Sequence, residues 1–85
     1  MPLIAMFLGI LVYMQYNEHM PPHFHAKYQG KTAAFSLDGE LLNGDMPPRQ
    51  CKFIAAWAEL HYDELCADWE ASRENQELFR IDPLK

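Results

Sequence analysis

Positive charge is scarce in this chain: seven Lys and Arg stand against twelve Asp and Glu, for a formal net charge of −5. The whole-molecule field repels polyanions, and the basic footprint of a nucleic-acid binder is missing. Arg49 with Lys52, and Lys27 with Lys31, read as solvated surface charge. Cysteine is sparse too. Cys51 and Cys66 fit neither a C-x-x-C nor a zinc-ribbon spacing and read as buried small hydrophobes of a reducing compartment. A disulfide between them is the lesser alternative and requires the region to fold back as a helical hairpin. No G-x-S-x-G, Walker loop or H-E-x-x-H occurs, so nucleophilic catalysis has no motif behind it. The opening apolar run, residues 3–14, has no Lys or Arg before it and no small-x-small site after it, and it falls short of the roughly 20 residues that span a bilayer. It reads as a core strand or hairpin of a cytoplasmic protein with no membrane partner.

Apolar and aromatic residues are plentiful, at 49% and 13%, the composition of a globular chain. A chain of 85 residues makes one domain over residues 1–85, with a radius of gyration of about 12 Å and no room for a deep cavity. Residues 3–16 predict a strand with a bulge or tight bend at Gly9. Beyond it Val12, Met14 and Tyr16 alternate with Leu11, Tyr13 and Gln15. Pro21 and Pro22 make residues 17–22 a loop. Residues 24–29 and 31–37 flank Gly30 as a hairpin, and Asp38-Gly39 turns into a short strand over residues 40–42.

From Arg49 the apolar period changes from two to nearly four. Pro47 and Pro48 suit the first turn of a helix, with Asp45 upstream as a cap or dipole partner. Phe53, Ile54, Trp57, Ala58, His61, Leu65 and Trp69 form one stripe. One long helix would overhang so small a sheet, so two helices with a break near His61-Tyr62 are favoured. Asn75-Gln76 ends the helical part, and residues 78–81 predict a last strand stopped by Asp82-Pro83. The fold class is α+β: a small antiparallel sheet of about four to five strands, a C-terminal helical hairpin packed on one face and a short final strand.

The sharpest chemical signal is His19-x3-His23-x-His25. On a strand His23 and His25 project to one face and Phe24 to the other, while the diproline loop could bring His19 alongside. Three converging imidazoles are a ligand set for a divalent transition metal, zinc, copper, nickel or iron, and Glu18 could add a carboxylate. A His23/His25 pair could instead do acid–base catalysis. Equally, histidines in a proline-rich turn can cap strands, stack on Phe24 or Tyr28, or bond loop carbonyls with no chemistry at all. His61, on the apolar stripe, reads as a hydrogen-bonded core or interface residue. Trp57 and Trp69 read as core; whichever the sheet leaves uncovered becomes an anchor for a partner.

With these residues in hand, the chain resembles the bacterial family called domain of unknown function 4160 over nearly its whole length. The match rests on Pro2-Leu3-Ile4, Phe7, Gly9, Glu18-His19, Pro21-Pro22-His23-Phe24-His25-Ala26, Gly44-Asp45-Met46-Pro47, Arg49, Trp57-Ala58-Glu59-Leu60-His61, Glu64-Leu65, Trp69 and Ile81-Asp82-Pro83-Leu84. His19, His23, His25, Arg49, Trp57 and His61 fall on its pattern. Met20 stands where the family often has a polar residue, and Asn75-Gln76 where it often has Asn-Gly. The resemblance carries no assigned activity. It does imply a small bacterial protein often encoded beside one of domain of unknown function 2442, an arrangement that resembles a toxin–antitoxin pair.

Two functional readings follow. The first is a protein-interaction module of such a two-gene unit, with a small protein partner or a second copy of itself bound at the sheet or at a face formed by Trp57, His61 and Trp69. The alternative is a metal-dependent or histidine-based hydrolase or nuclease using His19, His23 and His25, with Arg49 as a phosphate clamp. The negative charge and the lack of a carboxylate pair for magnesium oppose the latter. A DNA-binding helix-turn-helix is disfavoured because Glu64, Asp68, Glu70 and Glu74 would carry acid into the groove.

Overall fold

A computed structural model of the chain describes residues 2–84. Five strands come first: β1 (Leu3–Phe7), β2 (Ile10–Tyr13), β3 (His23–Tyr28), β4 (Lys31–Ser36) and β5 (Leu41–Gly44). They pair antiparallel in chain order, β1-β2-β3-β4-β5, as a simple meander. The bend at Gly9 is a complete hairpin turn, with Leu8 at φ 51° and Gly9 at φ 79°; Gln29 and Gly30 repeat it at 48° and 82°. Two successive positive φ values match the twist of the flanking strands, so these two-residue turns set the register of both hairpins. The Met20–Pro21 peptide is cis.

Alternation sorts the side chains onto two faces. Ala5, Val12, Phe24, Ala26, Ala33 and Phe35 point one way, all 5% exposed or less. The other face carries the rows Met6, Leu11, Lys27, Thr32 and Tyr13, His25, Ala34, Asn43, read across neighbouring strands. Two helices follow, α1 (Pro48–Leu60) and α2 (Tyr62–Arg73), joined by the single residue His61 at φ −119°, ψ 26°. The break thus falls where the sequence suggests. Pro48 opens α1, but no side chain caps it. Asp45 instead pairs with Lys31 at 3.5 Å and gives its N–H to the Thr32 carbonyl.

Helix α1 covers the apolar face. The Trp57 ring lies 5.3 Å from Phe7 and 5.7 Å from Phe24, edge-on to the latter, and is fully buried. Gly39 lets the chain come close enough for this: a Cβ there would sit 2.8 Å from the Ala55 Cα. Helix α2 buries Leu65, Asp68, Trp69 and Ser72. It ends at Asn75, φ 56°, where the Gln76 N–H returns to the Ala71 carbonyl, a Schellman closure that asparagine can supply in place of glycine. Both cysteines are free and half-buried. Among the described residues no helix is long and apolar enough to cross a membrane.

Residues 78–81 do not form the final strand that their composition suggests. A ladder needs repeated bonds to one neighbour, and here the segment's polar groups go to three different elements. Phe79 N–H donates to Asp68 Oδ1 (3.1 Å), Ile81 N–H to the Ile4 carbonyl (2.7 Å), and the Asp82 carbonyl accepts from Trp57 Nε1 (2.8 Å). With Ile81 buried, residues 74–84 form a strap that ties β1 to both helices.

Candidate functional site

The open face of the sheet holds the histidines. Strand alternation sends Phe24 into the core at 0% exposure and leaves His23 and His25 half-buried on the opposite side. Their rings lie 5.0 Å apart and nearly perpendicular. His25 stacks on its cross-strand partner Tyr13 at 5.4 Å, and His23 packs against Trp69 of α2 at 5.5 Å, so both rings are held by aromatic neighbours.

The loop over residues 14–22 supplies the third group, and it is Glu18. Its Oε1 lies 2.8 Å from His25 Nε2 and 3.4 Å from His23 Nε2. Donor atoms of Glu18, His23 and His25 all fall within 4.8 Å of one another. The loop is anchored by Asn17, whose N–H reaches the Ser72 carbonyl and whose side chain meets Asn75. The two imidazoles, His25 first, hold the Glu18 carboxyl below its ordinary value against the opposing effect of burial.

His23 shows what this arrangement can do. Its Nδ1 lies 2.8 Å from the Pro21 carbonyl, an oxygen that can only accept, so Nδ1 carries a proton. With that proton placed, the neutral ring turns the lone pair of Nε2 toward a carboxylate oxygen. Two acceptors face each other across 3.4 Å, an arrangement favourable only with a second proton on the ring or a cation between them. A carbonyl that fixes the tautomer of a ligating histidine is the usual outer support of a metal site. Tetrahedral ligands about 2.0–2.1 Å from a metal lie roughly 3.3 Å apart, close to the spacing of His23 and Glu18 here; the 2.8 Å between His25 and Glu18 is that of a hydrogen bond, which an entering ion would open.

The other residues singled out from the sequence fall elsewhere. His19 is exposed and is not one of the three converging groups, although it lines the same open recess of about 450 Å3 as Glu18, His23, His25 and Asn43. The loop turns Glu18, not His19, toward the strand. Arg49 lies exposed in the first turn of α1, stacked on Phe53 at 5.7 Å, and does not line this recess. Trp57 and Trp69 are 0% and 4% exposed, so neither offers the partner surface considered for them: Trp57 lies against Phe7, Phe24 and the strap, and Trp69 against His23 and Arg73. His61 is half-buried and engaged within the chain, against Glu64 Oε1 at 2.5 Å and the Trp57 ring at 5.7 Å. Sequence reasoning passed over Arg73, whose guanidinium lies over Trp69 at 5.8 Å. The four-residue spacing of Trp69 and Arg73 on one helix is the signal that could have found it.

No curated protein and no solved structure matches this chain. The family model described as "Domain of unknown function (DUF4160)" matches residues 9–70, a span that includes Glu18, His23 and His25. The chain therefore belongs to the DUF4160 family.

Proposed function

We propose that this protein is a divalent-transition-metal-binding domain in which Glu18, His23 and His25 hold the ion at the open face of the sheet. The observation that supports it is the His23 ring, whose Nδ1 is committed to the Pro21 carbonyl while its Nε2 faces the carboxylate that His25 also contacts. Two imidazoles and one carboxylate on one side of an ion leave its other positions to water or substrate, as hydrolytic and oxygen-activating sites require. The hydrolase or nuclease reading continues from there: a metal-bound water would be the nucleophile, and the shallow recess would admit an exposed, small substrate group. Titrating untagged protein with zinc, nickel and cobalt tests the binding by calorimetry and, for cobalt, by visible absorption. One ion per chain, lost in His23→Ala and in Glu18→Ala, is the expected result; no saturable binding of any of the three metals overturns the reading.

The interaction-module reading keeps one specific support. Met6 and Leu11, on the same open face, are 55% and 36% exposed, and Leu42 at the rim is 42% exposed. A small protein partner in a cytoplasmic, toxin–antitoxin-like pair would bind that face rather than the buried tryptophans. Light scattering and co-purification with the product of the neighbouring gene test it. A strict monomer that ignores that product removes this reading.

A further inference from the structure

Beside the Glu18–His23–His25 group lies a second recess of about 410 Å3, lined by Asn17, Glu18, His19, Met20 and Arg73. It shares Glu18, His19 and Met20 with the first, so the two recesses adjoin at residues 18–20, with the three donor atoms lining one and a guanidinium lining the other. Arg73 makes no ion pair or hydrogen bond among the described residues, and its donors are left facing solvent. Its position is nonetheless built. The guanidinium lies 5.8 Å from the Trp69 ring, and that ring, 4% exposed, lies 5.5 Å from His23 on its other contact. One buried indole therefore positions both a candidate metal ligand and the adjacent cation.

We infer that Arg73 is an anion-binding residue and that the ligand of this site is a small phosphorylated molecule, its phosphate shared between the metal and the guanidinium. The inference rests on the metal-binding reading above. The guanidinium fork accepts two oxygens of a phosphate or a carboxylate. A carboxylate so bound must use the same two oxygens for the ion, whereas a phosphate brings a third oxygen and a higher charge, which favours it as the group between guanidinium and metal. The ligand is small because the chain is acidic overall and Glu70 and Glu74 flank Arg73 in the next recess; together they repel an extended polyanion. His19, exposed at the rim, supplies a further donor.

The test is calorimetric titration of nickel-loaded protein with inorganic phosphate, acetate and a single-stranded oligonucleotide, using wild type, Arg73→Ala and Arg73→Lys. Nickel affinity should be the same within twofold in all three proteins. Phosphate should bind wild type and weaken at least tenfold in R73A, with R73K between them because it keeps the charge and loses the fork. If nickel binds but phosphate does not, or if R73A binds phosphate as wild type does, the Arg73 assignment fails and the metal reading stands. If acetate or the oligonucleotide binds more tightly than phosphate, the ligand class is wrong. If none of nickel, zinc and cobalt binds wild-type protein, both readings fall together.

Discussion

The two faces of the sheet use the same kinds of residue for opposite ends. On the helix-covered face, Phe7, Phe24, Phe35 and Trp57 are packed ring to ring, and the one strongly polar atom among them, Trp57 Nε1, is matched by the Asp82 carbonyl. On the open face, Tyr13 packs against His25, the core residue Trp69 lies against His23, and a carboxylate is drawn in beside the two imidazoles. Aromatic packing on the first face removes area from water; on the second it orients side chains whose polar atoms remain partly wet. A core needs only shape and apolar area, whereas a site needs ring orientation held from outside. His23 belongs to both, since its Trp69 neighbour is itself part of the core.

The largest expected effect tests the covered face. Trp57→Ala should cost about 3–5 kcal/mol, because it empties a fully buried volume and leaves the Asp82 carbonyl without its donor; chemical denaturation measures it. Next, His25→Ala should lower metal affinity by about a hundredfold or more while changing the stability of the metal-free protein by less than about 1 kcal/mol, as calorimetry and denaturation of the same samples would show. A stability loss as large as that of W57A would erase the distinction between the two faces.

A smaller effect comes from Asp68 under the strap. Burial pushes its carboxyl up to about 6, Glu64 adds to the rise, and the bond from Phe79 N–H opposes it. Its Oδ2 is buried and, among the described residues, without a partner. A folded-state value above the unfolded one means that Asp68 favours folding most below about pH 4, and that this contribution is lost as pH rises through about 6. Asp68→Asn keeps the acceptor for Phe79 and removes the charge. It should therefore stabilise the protein by ~1–2 kcal/mol at pH 7.5 and make no difference near pH 4, as melting temperatures across that range would reveal. Least of all, His19→Ala should leave metal affinity within threefold of wild type, because its side chain is not among the converging donors. A hundredfold loss there would put His19 back among the ligands.

Much of the fold is legible in the chain because it depends on short-range stereochemistry. Leu8-Gly9 and Gln29-Gly30 turn where the strands must reverse, Pro47-Pro48 opens α1, and Asn75 closes α2. The strand over residues 78–81 is misread for the converse reason: its composition suits a strand, but its N–H groups are claimed by Asp68 and Ile4, partners far away in sequence. The tryptophans are similarly ambiguous in one dimension. A stripe on a helix says which side is apolar, and only the sheet and the strap decide whether anything covers it.

The sequence alone determines that His23 and His25 share a face and that Phe24 leaves it, since alternation along a strand is a property of the backbone. That Glu18 rather than His19 completes the group, that Pro21 sets the His23 tautomer, and that Arg73 comes to lie beside them are decided by tertiary structure alone. The reason is physical: the loop's path depends on its anchors at Ser72 and Asn75, more than fifty residues away, and no local preference of residues 17–22 specifies which side chain that path turns inward.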